Sequence, residues 1–83
     1  MRYRLEISEA ALEQLRALTK EQRQRIGRRL DALQDDLQGD VKKLGGQAGM
    51  YRLRVGSHRV LFTLENGLIL VHLVNDRKDV YRD

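Results

Sequence analysis

The 83-residue sequence contains no cysteine, and that absence removes disulfides, thiolate nucleophiles and thiolate metal ligands at once. Its histidines are only two, His58 and His72, and neither a serine-hydrolase elbow nor a zinc-protease motif accompanies them. The pair Asp35-Asp36 reads as a solvated helix end, not as a general acid and base. No metal site is therefore expected, and no cofactor. No apolar run approaches the roughly 18 residues of a membrane span, and no leader-like arrangement opens the chain. A cytoplasmic domain without membrane contact is the expectation. At this length one domain is expected, burying roughly 60% of the surface that the unfolded chain exposes.

What the chain does carry is positive charge, +4 formally, from 16 Lys and Arg against 12 Asp and Glu. The whole excess lies from Lys42 onward. Such a distribution favours phosphate-bearing partners or an acidic protein.

Met1 to Ile7 alternates apolar and polar residues, which predicts a half-buried strand. Ser8 offers a helix N-cap with Glu9 in the first turn, and Ala11, Leu12, Leu15 and Leu18 follow at helical spacing. Thr19 to Gln22 has the form of a capping box and restarts a helix. Its apolar stripe runs through Ile26, Leu30, Leu33 and Leu37 before Gly39-Asp40 ends it. So short a connection predicts an αα-hairpin. Residues 42–49 read as a plain glycine-rich connection that fits neither phosphate-loop nor dinucleotide-loop spacing.

A hairpin follows. Tyr51, Leu53 and Val55 share one face with Val60, Phe62 and Leu64, and Gly56-Ser57 suits a tight primed turn. Glu65-Asn66-Gly67 is a second hairpin turn, and residues 68–74 form an apolar strand of central type. The predicted order β-α-α-β-β-β is an α+β layout: an N-terminal strand, an antiparallel meander and a helical hairpin packed on one face. His72 reads as a hydrogen-bonded structural histidine, and His58 as a packing or edge residue.

Alternation places Arg52, Arg54 and Arg59 on the opposite face, expected to be one exposed surface. Arg77, Lys78, Tyr81 and Arg82 add basic and aromatic character to the tail. Lysine would serve if these were only a solvated, aggregation-resistant face. Guanidinium instead suits flat, bidentate phosphate recognition, and tyrosine offers a stacking surface for a base. Nucleic-acid or phosphate binding is the reading this pattern favours.

Tyr3, Ser8-Glu9-Ala10, Lys43-Leu44-x-Gly46 and Tyr51-Arg52-Leu53-Arg54-Val55-Gly56 recur in order and spacing with His58-Arg59-Val60 and Asp76-Arg77-Lys78-Asp79-Val80-Tyr81. Together they resemble the RelE/ParE superfamily of bacterial toxins over nearly the whole chain. The resemblance implies one RelE-like toxin domain, residues 1–83, from a type II toxin–antitoxin pair. The closing Arg-x-x-x-Tyr and the basic hairpin bring it nearer the RelE-like branch, which cleaves messenger RNA in the ribosomal A site. The ParE-like branch, which poisons DNA gyrase, is the alternative; a basic, non-toxic binding module on the same fold is a third.

By position, the resemblance implies catalytic roles for Arg52, Arg54, Arg59, Arg77 and Tyr81. Arg59 would hold the phosphorane, Arg77 would stand at the leaving group, and Tyr81 would stack on or orient a base. Lys42, Lys43, Lys78 and Arg82 would contact RNA or the ribosome. Arg25, Arg28 and Arg29 would do the same, or form a solvated helix face. Arginine replaces the lysines common at positions 52 and 54, and with a pKa above about 12 it is a very poor base. Lys42, Lys43, His58 and ribosomal RNA stand as alternatives for that role. Expected partners are the ribosome with its mRNA, and a cognate RelB-like antitoxin, acidic and partly disordered.

Overall fold

The computed structural model describes residues 2–44 and 49–76. In chain order the elements are β1 (Arg4–Ile7), α1 (Glu9–Arg16), α2 (Lys20–Gln34), β2 (Asp40–Lys43), β3 (Met50–Val55), β4 (His58–Glu65) and β5 (Leu68–Asp76). The five strands form one mixed sheet in the order β1-β5-β4-β3-β2. Both helices pack on one face of it, as the α+β layout requires.

The helix starts follow their local signals. Ser8 Oγ accepts a hydrogen bond from the Ala11 amide at 3.1 Å, and it donates to the His72 carbonyl at 3.1 Å. One hydroxyl thus caps α1 and ties it to β5. At α2 the capping box is complete: the Gln22 amide donates to Thr19 Oγ1, and the Thr19 amide donates to Gln22 Oε1. Arg23 Nη1 closes the joint between the helices by donating to the Leu18 carbonyl at 2.8 Å.

The end of α2 differs from the expected one. The apolar stripe continues to Leu37, yet the helix stops at Gln34. Its last carbonyls have other partners: the Tyr3 amide donates to Gln34 O at 2.7 Å, while Gln34 Nε2 donates to Tyr3 O at 3.1 Å. Asp36 and Leu37 then take positive φ, 67° and 56°, and Leu37 donates back to the Leu33 carbonyl. This local reversal uses up orphan carbonyls of the last turn and still leaves Leu37 packed against the core.

The expected connection over residues 42–49 begins instead within a strand: residues 40–43 form β2, paired antiparallel with β3. With one apolar residue in Asp40-Val41-Lys42-Lys43 there is no alternation to recognise. The strand exists because the edge of β3 supplies its hydrogen-bond partners. β1 runs parallel to β5, Arg4 opposite Leu68 and Ile7 opposite Val71. Three successive reversals from β2 to β5 leave β5 running in the direction of β1.

The core lies between sheet and helices. Leu53, Val55, Val60, Phe62, Ile69, Val71 and Val74 face Ala11, Ile26, Leu30 and Leu33, all buried. Tyr51 stacks on Phe62 across the β3–β4 ladder, with ring centroids 5.5 Å apart. Gln14 Oε1 accepts from the Val74 amide at 2.6 Å and fixes α1 over β5. Among the described residues, the opposite face of the sheet carries no helix.

Candidate nucleic-acid interface

The helix-free face owes its residues to strand alternation. Val60 stands opposite Leu53 on the core side, so the next pair, Arg54 and Arg59, stands opposite on the open side. Two residues back on β3, Arg52 faces Leu61 on one flank and Lys42 of β2 on the other. Asp40 is the cross-strand partner of Arg54. Lys42, Arg52, Arg54 and Arg59 therefore share one patch of three adjacent strands. Gly56, at φ 59°, supplies the positive-φ turn position that holds β3 and β4 in this register.

One expectation is corrected. Arg52 shares this face but is not exposed: only 7% of the residue is accessible. It is flanked by Leu61 of β4 and by Lys42 of β2, a neighbour that the hairpin by itself does not supply. Its Nη1 is buried without a hydrogen-bond partner, and the Asp40 carboxylate lies 3.8 Å away. Arg54 and Arg59 are half-exposed. Directly opposed like charges on a sheet repel one another.

The structure also sorts the basic-catalyst alternatives by face. His58 stands opposite Val55 on the core side and is 7% exposed, which fits the packing role and takes it away from Arg59. Lys43 pairs with Tyr51, again the core-side parity, at the sheet edge. Lys42 is exposed and on the open side, beside Arg52. Arg25, Arg28 and Arg29 are exposed on α2, in the helical layer and not on the open face. Arg25 reaches the hairpin turn, its Nη1 lying 3.5 Å from where a Cβ on Gly56 would sit. Arg77, Lys78, Tyr81 and Arg82 lie outside the described residues.

A depression that alternation alone does not reveal adjoins the patch. Between Leu61 and Phe62 the β4–β5 register shifts, so that Leu61 faces Leu73 but Phe62 faces Val71. His72 is the extra residue of this bulge. Its backbone carbonyl accepts from Ser8 Oγ, and its Nε2 lies 2.9 Å from Thr63 Oγ1 on the open face. The hydrogen-bonded structural role expected of His72 is present. Gly49, Thr63, Leu64, Glu65, Leu70 and His72 line a shallow hollow of about 450 Å³ there.

A family model described as the ParE toxin of the type II toxin–antitoxin system parDE matches residues 5–81. The chain belongs to this toxin family. Toxin RelE3 of Methanocaldococcus jannaschii is 36% identical to it over 47 residues, 57% of the chain and 53% of the relative. The match thus spans about half the length of that curated relative. The RelB–RelE antitoxin–toxin complex from Methanococcus jannaschii has a TM-score of 0.78 at 25% identity, covering 90% of this chain and 93% of that one. The RelE–RelB complex from Pyrococcus horikoshii OT3 has the same TM-score at 26% identity, with both chains fully covered. The RelBE2 complex from Mycobacterium tuberculosis, at 18% identity and a TM-score of 0.82, shares the fold, over 93% of this chain and all of that one. The RelE/ParE resemblance carried by the motifs therefore stands, and the family's toxins present the same helix-backed sheet.

For chemistry, the open face of this toxin offers three things. Arg54 and Arg59 can hold an anion from two strands at once. Arg52 keeps an unspent N–H donor beside them. Lys42 adds a compact, movable ammonium.

Proposed function

We propose that this toxin is a ribosome-dependent endoribonuclease that cleaves mRNA in the A site without a metal. The observation that carries the reading is the cross-strand pair Arg54–Arg59 on the helix-free face, with Arg52 and Lys42 in the neighbouring ladder positions. The likeness to RelE proteins in fold and in part of the sequence supports it.

In the reaction a ribose 2′-oxygen bonds to the adjacent phosphorus as its proton leaves. The P–O5′ bond breaks, O5′ takes up a proton, and a 2′,3′-cyclic phosphate remains. Charge grows on the non-bridging oxygens as the phosphorane forms, and positioned guanidinium groups are suited to that charge. Arg59 holds these oxygens with Arg54 across from it, and Arg52 holds the flanking backbone. Arg77 neutralises the leaving oxygen and Tyr81 orients a base, as their matched positions imply. Lys42 is the side-chain candidate for proton removal on the open face; ribosomal RNA is the alternative. An acidic antitoxin segment laid on this cationic face is the complementary partner, in keeping with the antitoxin-bound RelE structures. A cytoplasmic location goes with these proposed partners.

Toe-printing of a translated message with purified toxin tests the reading. A-site cleavage is expected with the wild type and a loss of at least about a hundredfold with Arg59→Ala, the scale of removing one transition-state donor. The description of the matching family model favours a second reading, a ParE-like gyrase poison. Intact message together with inhibited DNA supercoiling would decide for that one.

A further inference from the structure

Asp40 and Lys42 enter the patch together, on the strand that the sequence pattern concealed. Gly39, at φ 130°, turns the chain into β2, and Asp40 follows as the only acidic residue of β2 and β3. Its Oδ1 lies 3.8 Å from Arg52 Nη1. That distance is beyond a hydrogen bond but well within effective Coulomb range. The carboxylate therefore offsets the charge of Arg52 without using its N–H donor. The two groups also differ in freedom: the Arg52 side chain is 9% accessible and the Asp40 side chain 59%. A buried guanidinium held in place with an unspent donor is ready for an oxygen ligand. An exposed carboxylate can turn away into water at little cost.

We infer that Asp40 is an internal counter-anion: in the free protein its carboxylate stands in for a backbone phosphate beside Arg52, and it yields that place when RNA binds. The inference rests on the RNA-binding reading of this face. It assigns Asp40 two opposed effects. Without RNA, the carboxylate relieves repulsion among Lys42, Arg52, Arg54 and Arg59. With RNA, it is a like charge beside the incoming phosphate, and it weakens binding.

Asp40→Asn removes the charge and keeps the shape. Binding of a short 2′-O-methyl RNA, which cannot be cleaved, is followed by fluorescence anisotropy across a salt series. Affinity at low salt should rise about twofold to fivefold, the range of a solvent-exposed ion pair. The dependence of log K on log salt should steepen by up to about 0.7, the value of one further single-strand phosphate contact. The urea midpoint of the RNA-free protein should fall in the same variant. A residue that only braced the strand would lower stability and affinity together. Asp40→Ser, also uncharged, must repeat the gain, which guards against a folding defect particular to one variant. Unchanged or weaker RNA binding in both variants, with Arg54→Ala still weakening it, overturns the role of Asp40 alone. If neither Arg54→Ala nor Arg59→Ala weakens RNA binding, the RNA reading fails and this inference fails with it.

Discussion

Replacing Arg54 with alanine separates what the open face does for the fold from what it does for a ligand. Arg54 stands directly opposite Arg59 and is half-exposed, and no hydrogen bond or ion pair engages its side chain among the described residues. Opposed like charges on a sheet are destabilising, on the scale of the roughly 0.2–1 kcal/mol that a cross-strand pair is worth. Deleting one member should return part of that, less the contact of the Arg54 stem and its attraction to Asp40 across the β2–β3 ladder. Those terms are similar in size, so urea denaturation should place the variant within about 0.5 kcal/mol of the wild type. Function should respond differently. A hydrogen bond to a charged group is worth about 1.5–3 kcal/mol, so cleavage in the toe-printing assay should fall by about tenfold to 150-fold. Stability nearly level and activity sharply reduced is the expected pair of results. Two outcomes refute the reasoning: cleavage at the wild-type rate, or a stability loss above about 2 kcal/mol, which would make Arg54 a structural residue.

Two further substitutions follow from the geometry. Lys42→Ala should slow cleavage markedly while Lys43→Ala leaves it near the wild-type rate, because only Lys42 shares the open face with Arg52; equal effects measured on programmed ribosomes would count against the face assignment. Ser8→Ala removes both the α1 cap and the donor to the bulged His72 carbonyl. It should cost about 1.5–3 kcal/mol in a denaturant titration, and a loss under about 0.5 kcal/mol would show that water replaces the hydroxyl.

Much of the site was legible because strand alternation is local. Tyr51, Leu53 and Val55 had to share a face, so Arg54 had to point the other way, and a two-residue turn then had to bring Arg59 opposite it. The capping box at Thr19 and the Asn-Gly turn, where Asn66 and Gly67 both take positive φ, were equally local. What escaped depends on neighbours distant in sequence. Arg52 gains Lys42 and Asp40 as neighbours only through β2, and β2 has no pattern of its own. The bulge that makes His72 the extra residue is a relation between two strands, invisible in either one. The early stop of α2 is decided by Tyr3, thirty-one residues before Gln34.

By itself, then, the order of residues determined which faces of the hairpin are apolar and which are basic, where both helices begin, and the α+β class. Those are consequences of side-chain spacing along a single segment. Tertiary structure alone decided that β1 runs with β5, that Lys42 stands beside the arginines, and that Asp40 comes to lie next to Arg52. Each of these depends on hydrogen-bond partners supplied by another strand, and a strand's own spacing does not say which neighbour it will meet.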